Sequence, residues 1–456
     1  MPPPGAPASS ASTSRNESLG ARAHARELML LVAVALLLRL AAFFVHGCAQ
    51  HAVGKDAWSW GFESGCIAES LADGRGYAGQ WARAEGPWGE TAPITGWLAP
   101  AYPYLLAGLM KLGGGVSATT AGLLLVFQCV LSALTAGLLW RLGLALGGLR
   151  LARVAGWTLA LLPYSIWNAA HTVWDTTCVA FVLTGFVLCV VLFGRGASVA
   201  RAAIFGALFG AVMLVNPAPA SIVPGVLWIL ASGLSTWRER LVRLAAFGAA
   251  AFVLVLPWCL RNREAVGSFA LRTNLGVEMM VGNNDLANGY FQTKLHPSYS
   301  ADEFRRYVAE GEVPYAKECM ERAQTWIRAD PLRFARLTLH RARLYWLGDF
   351  PWSDPRTEGA KSAATDPASW VKWGMHGLAG LLALAGCALF VKRRVEHRAL
   401  VVMLVLFPAP YYLTHVLERY RFPIEPLMLL PAAAFVLWAI DRARGNATLA
   451  AGERAR

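Results

Sequence analysis

The feature that most constrains this chain is a succession of apolar stretches, each near the length that crosses a bilayer, with clusters of arginine and lysine between them. About 20 apolar residues span the hydrocarbon core. In lipid every backbone N–H and C=O must find a partner inside the structure, which leaves helices or closed barrels. The stretches are continuous rather than alternating, so they read as helices. The chain has 456 residues, 56% hydrophobic and 16% charged, and a mean hydropathy of +0.41. Those values exceed what a soluble domain needs for its core. The formal charge is +13, but the basic residues flank apolar runs, as orientation signals do, with no nucleic-acid motif or basic groove. No nucleic-acid partner is expected.

Arg22 and Arg26 precede a first span at 28–45, which puts the N-terminus in the cytoplasm and the polar loop 47–100 outside. The run 101–112 is too short to span comfortably and opens Pro100-Ala101-Tyr102-Pro103. Were it to span, Arg141, Arg150 and Arg153 would fall outside. As a half-buried helix on the outer surface it keeps them inside. Spans then follow at 118–140, 154–170, 176–193, 202–215, 221–234, 244–260, 371–391, 400–413 and 423–440. The expected fold is all-α, a polytopic membrane protein of about ten transmembrane helices, with both termini cytoplasmic. Its parts are a disordered tail (1–26), an N-terminal membrane module (27–260), an outer helical segment (261–370), C-terminal membrane helices (371–445) and a tail (446–456). Within the outer segment, 301–311, 315–329 and 332–347 read as helices, with Asp330-Pro331 as stop and restart. The last is suited to lying on the outer leaflet.

This topology places Asp56, Glu63, Asp175, Arg261, Arg263, Arg272, His296, Glu418, Arg419 and Arg421 on one side. Outer arginines run against the orientation bias and ask for a reason. Arg419-Tyr420-Arg421 sits between two spans, where guanidiniums suit phosphate oxygens. Asp175 stands at the outer end of a span. A second acid on the same face would let two carboxylates divide proton transfer from substrate or cation binding. In the loop, Glu63 begins an amphipathic helix with Ile67, Ala68 and Leu71 at helical spacing, and Asp56 precedes it. Glu69, Asp73, Glu85 and Glu90 read as solvated decoration. Cys48 and Cys66 share the loop, so a disulfide between them stays open. The glycine run 113–115 lacks the Lys-Ser/Thr of a P-loop, and GxSxG, HExxH and CxxC are absent from the sequence.

In order along the chain stand Glu63-Ser64-Gly65-Cys66-Ile67-Ala68-Glu69-Ser70-Leu71 with Gly74-Arg75-Gly76-Tyr77, then Thr95-Gly96-Trp97-Leu98-Ala99-Pro100-Ala101-Tyr102-Pro103, Trp174-Asp175, Pro257-Trp258 with Arg261-Asn262, Gly282-Asn283-Asn284, and Arg419-Tyr420-Arg421-Phe422-Pro423. This series resembles the C-type membrane glycosyltransferases, in particular the bacterial branch related to protein O-mannosyltransferases and lipid A aminoarabinose transferases. The resemblance implies an enzyme of the bacterial inner membrane. Its sugar would come from a polyprenyl-phosphate donor and pass to a hydroxyl of a glycan, lipid or protein acceptor on the periplasmic face, with inversion. It implies a catalytic carboxylate in the first outer loop. The family's usual Asp, often Asp-Glu, is replaced here by Trp60-Gly61, which leaves Glu63 or Asp56 as the base. It further implies Asp175 as the second acid and a candidate ligand for a divalent cation (magnesium or manganese). Arg419, Arg421 and Arg261 fall at the donor phosphate, and Tyr420, His296 and Tyr102 at the substrate. The rival classes are a flippase or transporter for polyprenyl-linked sugars, which the scarcity of mid-span acids disfavours, and a non-catalytic envelope-assembly scaffold.

Overall fold

The computed structural model describes residues 9–47, 56–82, 93–348 and 367–445. Its helices in chain order are α1 (Ser9–Val45), α2 (Glu63–Ala72), α3 (Ala101–Gly113), α4 (Ala118–Leu161), α5 (Pro163–His171), α6 (Thr176–Phe193), α7 (Val199–Val215), α8 (Val223–Ala231) and α9 (Trp237–Val266). Then come α10 (Leu275–Gly282), α11 (Ala301–Glu310), α12 (Glu312–Ala329), α13 (Pro331–Leu347), α14 (Pro367–Phe390), α15 (Val395–Leu406), α16 (Ala409–Leu413) and α17 (Glu425–Ala443). The fold is all-α, and β pairing among the described residues is one bridge, Ala78 to Ile94. Among those residues six helices are long and apolar enough to cross a membrane, and Val199–Val215 and Ala218–Ala231 are shorter apolar helices.

Two expectations change in detail. The tail read as disordered over 1–26 is helical from Ser9. Once the apolar part of α1 is helical, the costly nucleus exists, and the Ala, Arg, Leu and Glu residues before it extend the helix at little cost. The expected span at 154–170 is two pieces. Within α4, Gly147 and Gly148 leave helical geometry, Gly148 at φ 74°. The chain folds back there: a Cβ on Gly143 would lie 2.8 Å from Ala152 Cα. The returning arm, 149–161, stops at Leu162-Pro163, and α5 continues from it.

Pro163 has no N–H, so the Leu159 carbonyl loses its helical donor. Arg39 of α1 supplies one. Its Nη2 donates to Leu159 O (3.2 Å) and Ser165 Oγ (3.0 Å), its Nη1 to Ala160 O (3.1 Å) and Ala35 O (2.9 Å), and its Nε to Ser132 Oγ (2.7 Å). A fully buried cation within a span is tolerated because its donors meet acceptors that the helix break exposed. Elsewhere helices close on small residues: α7 meets α9 at Gly206, where a Cβ would stand 2.0 Å from Phe247 O.

The bundle has two chemically distinct ends. At one, Arg153 pairs with Glu27 (2.7 Å) and Arg150 with Asp441 (2.8 Å). These residues all come from segments read as cytoplasmic. At the other, the first loop docks on α10–α12. Two of the loop's tryptophans are core residues: Trp81 and Trp97 are buried with Val277, Tyr307 and Tyr315. Glu312 pins the contact by accepting from Gly96 N (2.8 Å), Thr95 Oγ1 (2.5 Å), Thr273 Oγ1 (2.5 Å), Tyr307 Oη (2.9 Å) and Gln80 Nε2 (3.3 Å). A buried carboxylate needs such a full set of donors.

Candidate active site

The site is built on the turn Gly61-Phe62-Glu63-Ser64, closed by Ser64 N–H donating to Gly61 O (3.3 Å). Phe62 has φ 60° and ψ −124°, the first central position of a type II′ turn, which glycine ordinarily fills. Among the described residues it is the one non-glycine with positive φ. Such a conformation costs about 1–3 kcal/mol and persists only where surroundings impose it. Here the Phe62 N–H donates to Trp58 O (2.8 Å), and its ring stacks on Trp174 (6.2 Å, 20°) with Trp58 edge-on (5.2 Å). Gly61 lies so close to the next strand of chain that a Cβ would stand 2.8 Å from Val173 O. The loop turn is thereby fixed against the residues just before Asp175. Glu63 opens α2, where an acid is favoured by the helix dipole.

A third segment enters between α16 and α17. The Arg419 Cζ lies 4.8 Å from the Phe62 ring centroid, 4.9 Å from that of Trp174 and 5.7 Å from that of Tyr420. Arg272, preceding α10, donates from Nε to Trp97 O (3.2 Å). Neither arginine forms an ion pair with a carboxylate among the described residues. Burial raises the Glu63 carboxyl above its ordinary range, while its own backbone N–H, Arg419 and Arg272 oppose the rise. The arrangement is a carboxylate facing two cations that have charge to spare.

The fourth segment is α10 itself. Glu278 accepts from Asn274 Nδ2 (2.9 Å), and its Oε2 is 3.8 Å from His415 Nε2. Burial pushes Glu278 up to about 7, Arg272 opposing and Glu63 adding to the rise. Burial pushes His415 down to about 3, so at neutral pH the contact is not an ion pair. His415 Nε2 instead shares a hydrogen with Tyr420 Oη (3.0 Å), and Tyr420 stacks on Tyr411 (4.4 Å).

The structure thus brings together Glu63, Arg419 and Tyr420, with Asp175 adjoining through Val173 and Trp174. Asp175 stands just before α6, and its carboxylate accepts from Asn216 Nδ2 (2.8 Å). The other expected residues are engaged elsewhere. Asp56 is exposed and caps the short 3-10 turn Ala57–Ser59. Arg421 is buried, donating to Trp346 O (3.0 Å), His376 O (2.8 Å) and Glu425 (3.2 Å). Arg261 fastens the loop through Thr95 O and Tyr77 O. His296 bonds Ser298 among Trp81, Trp97 and Phe291. Tyr102 donates to Val173 O (2.7 Å). Cys66 donates to Ala82 O (3.2 Å); Cys48, Glu85 and Glu90 lie outside the described residues.

Phe62, Trp174, Glu278 and His415 were not singled out for the site from sequence, and Arg272 was read only as one of the outer arginines. Glu278 left one signal, as the lone acid of an otherwise apolar helix, Leu275–Gly282. For a divalent cation, hard oxygen ligands must converge. Among the described residues no three His, Cys, Asp or Glu side chains do so, and Asp175 Oδ2 is already bonded by Asn216. The donor set does not fit, and no step is assigned to a metal.

The crystal structure of the apo oligosaccharyltransferase of Archaeoglobus fulgidus superposes on 92% of this chain with a TM-score of 0.51, at 14% sequence identity. The fold is shared with C-type membrane glycosyltransferases. This chain spans 52% of that enzyme's length. AglB of the same organism, in complex with an inhibitory peptide and a dolichol-phosphate, gives a TM-score of 0.49 at 13% identity over 91% of this chain and 52% of that one. ArnT from Cupriavidus metallidurans, bound to undecaprenyl phosphate, gives 0.40 at 14% identity over 91% and 79%. No family model matches the sequence, and no curated protein matches it. At this identity the likeness carries the fold, and residue roles rest on the geometry above.

Proposed function

We propose that this protein transfers a sugar from a polyprenyl-phosphate donor to an acceptor hydroxyl at the outer face of the bacterial plasma membrane. One observation carries the reading: a half-buried carboxylate, Glu63, faces two arginines, Arg272 and Arg419, neither of which forms an ion pair with a carboxylate among the described residues. A hydrolytic or transfer step that expels a phosphate needs a base on one side and cations on the other. Glu63 takes the proton of the acceptor hydroxyl as its oxygen bonds the anomeric carbon. The bond from that carbon to the phosphate oxygen breaks on the opposite face, giving inversion. The electron pair stays on the polyprenyl phosphate, whose charge Arg419 and Arg272 stabilise. Asp175, held by Asn216, orients the acceptor, and Tyr420 flanks the sugar. Asp56, as an exposed cap, is not the base in this scheme.

The test is a pair of substitutions assayed for sugar transfer from a polyprenyl-phosphate sugar. Glu63→Gln should lower kcat by about 100-fold or more with donor binding retained, and Asp56→Asn should stay close to the unsubstituted protein. Full turnover by Glu63→Gln would sink the assignment.

A further inference from the structure

An arginine surrounded by acids ordinarily pairs with one of them. Arg419 instead rests against two aromatic rings that are nearly parallel to each other. Aromatic faces hold a guanidinium through its own face, by cation–π attraction, without occupying the N–H donors along its edge. Tyr420 takes one side-chain hydrogen bond from Arg419, and the ring contacts leave the rest of that edge able to bond an anion. Phe62, one of the two rings, also carries the strained turn that launches Glu63. Simple packing does not explain the choice, since Phe62, Trp174 and Arg419 are all partly exposed, and a leucine at position 62 would fill space under the same backbone strain without the cation attraction of a ring.

We propose that the Phe62–Trp174 ring pair is a positioning clamp: it holds Arg419 by its face, presents its edge to the phosphate of a lipid phosphate, and ties occupancy of that site to the placement of Glu63. The proposal rests on the donor-phosphate role given to Arg419 above. Both rings are positioning residues, acting through Arg419 and Glu63 rather than on the sugar. The type II′ turn is the mechanical link, because any shift of the Phe62 ring with Arg419 moves the backbone from which α2 starts.

The test uses the full-length protein in nanodiscs, titrated with undecaprenyl phosphate and, in parallel, with undecaprenol. Phe62→Leu and Trp174→Leu should weaken undecaprenyl phosphate by about tenfold and leave undecaprenol unchanged. Phe62→Tyr and Trp174→Phe keep a ring and should rescue binding. Phe62→Gly accepts the turn without the ring, so it should match Phe62→Leu in binding while keeping thermal stability; should Phe62→Leu fail to fold, Phe62→Gly and Trp174→Leu still decide the matter. Undiminished phosphate-lipid affinity in the ring-less variants overturns the clamp. Equal affinity of the unsubstituted protein for undecaprenyl phosphate and undecaprenol overturns the transferase reading itself, a different result from a different sample.

Discussion

Asn216 Nδ2 donates a 2.8 Å hydrogen bond to Asp175 Oδ2, joining the break after α7 to the start of α6. Two helix ends that are 41 positions apart in sequence therefore share one end of the bundle, the end that carries the Glu63 and Arg419 turns. The opposite end carries the Arg150–Asp441 pair. The charge rule predicts that the first end faces the periplasm. A cysteine replacing Glu418, which is exposed, should react in intact cells with a membrane-impermeant maleimide. One replacing Arg150 should react only after the cells are opened. The reverse pattern would invert the orientation.

Arg419 and Arg421 are two residues apart and have opposite fates. Arg419→Ala should leave thermal stability nearly unchanged and raise the donor KM. Arg421→Ala strands Glu425 and two carbonyls in the interior, and losing one partner of a buried pair costs about 3–5 kcal/mol. It should therefore lower the unfolding temperature sharply in detergent. Comparable stability in the two variants would contradict this division of labour.

Glu278 makes stability depend on pH in an uncommon direction. Its carboxyl is raised from 4.5 to about 7 by burial. The folded state thus holds a proton that the unfolded state releases above about 4.5. Stability contributed by this proton is fully present below that pH and is lost as pH rises to about 7. Relative to Glu278→Gln, the unsubstituted protein should lose up to about 3 kcal/mol across that window and little more above it. Denaturant midpoints at pH 5, 6, 7 and 8 would measure it, and parallel lines for the two proteins would remove Glu278 from the buried cluster.

Arg39 is the pin of the hairpin formed within α4 and continued by α5. Arg39→Met keeps the apolar length but strands the Leu159 and Ala160 carbonyls, at a cost of about 3 kcal/mol. Loss of unfolding temperature with unchanged helix content, followed by circular dichroism, is the expected result. Restored stability in a second variant, Pro163→Ala on Arg39→Met, would show that the proline break created the need.

Much of the fold was legible in the sequence because its signals are local. Apolar length marks the spans, the flanking Arg22, Arg26 and Arg150 give an expected direction, and Asp330-Pro331 marks the break between α12 and α13. Glu63 and Asp175 were legible as acids at helix starts. The Gly147-Gly148 reversal was legible only as a basic loop, and α1 starts before its tail was expected to end.

What the sequence by itself determined is therefore the class of fold, with an expected sidedness for its loops and a short roll of candidate acids and arginines. Tertiary structure decided which of them share a site. Arg419 and Arg421 have the same chemistry and almost the same position in the chain, yet Arg421 meets Trp346 and His376 while Arg419 meets Phe62 and Trp174. A side chain's role depends on what long-range packing puts within about 5 Å of it, and no local pattern around residue 420 encodes partners from residues 62, 174, 346 and 376.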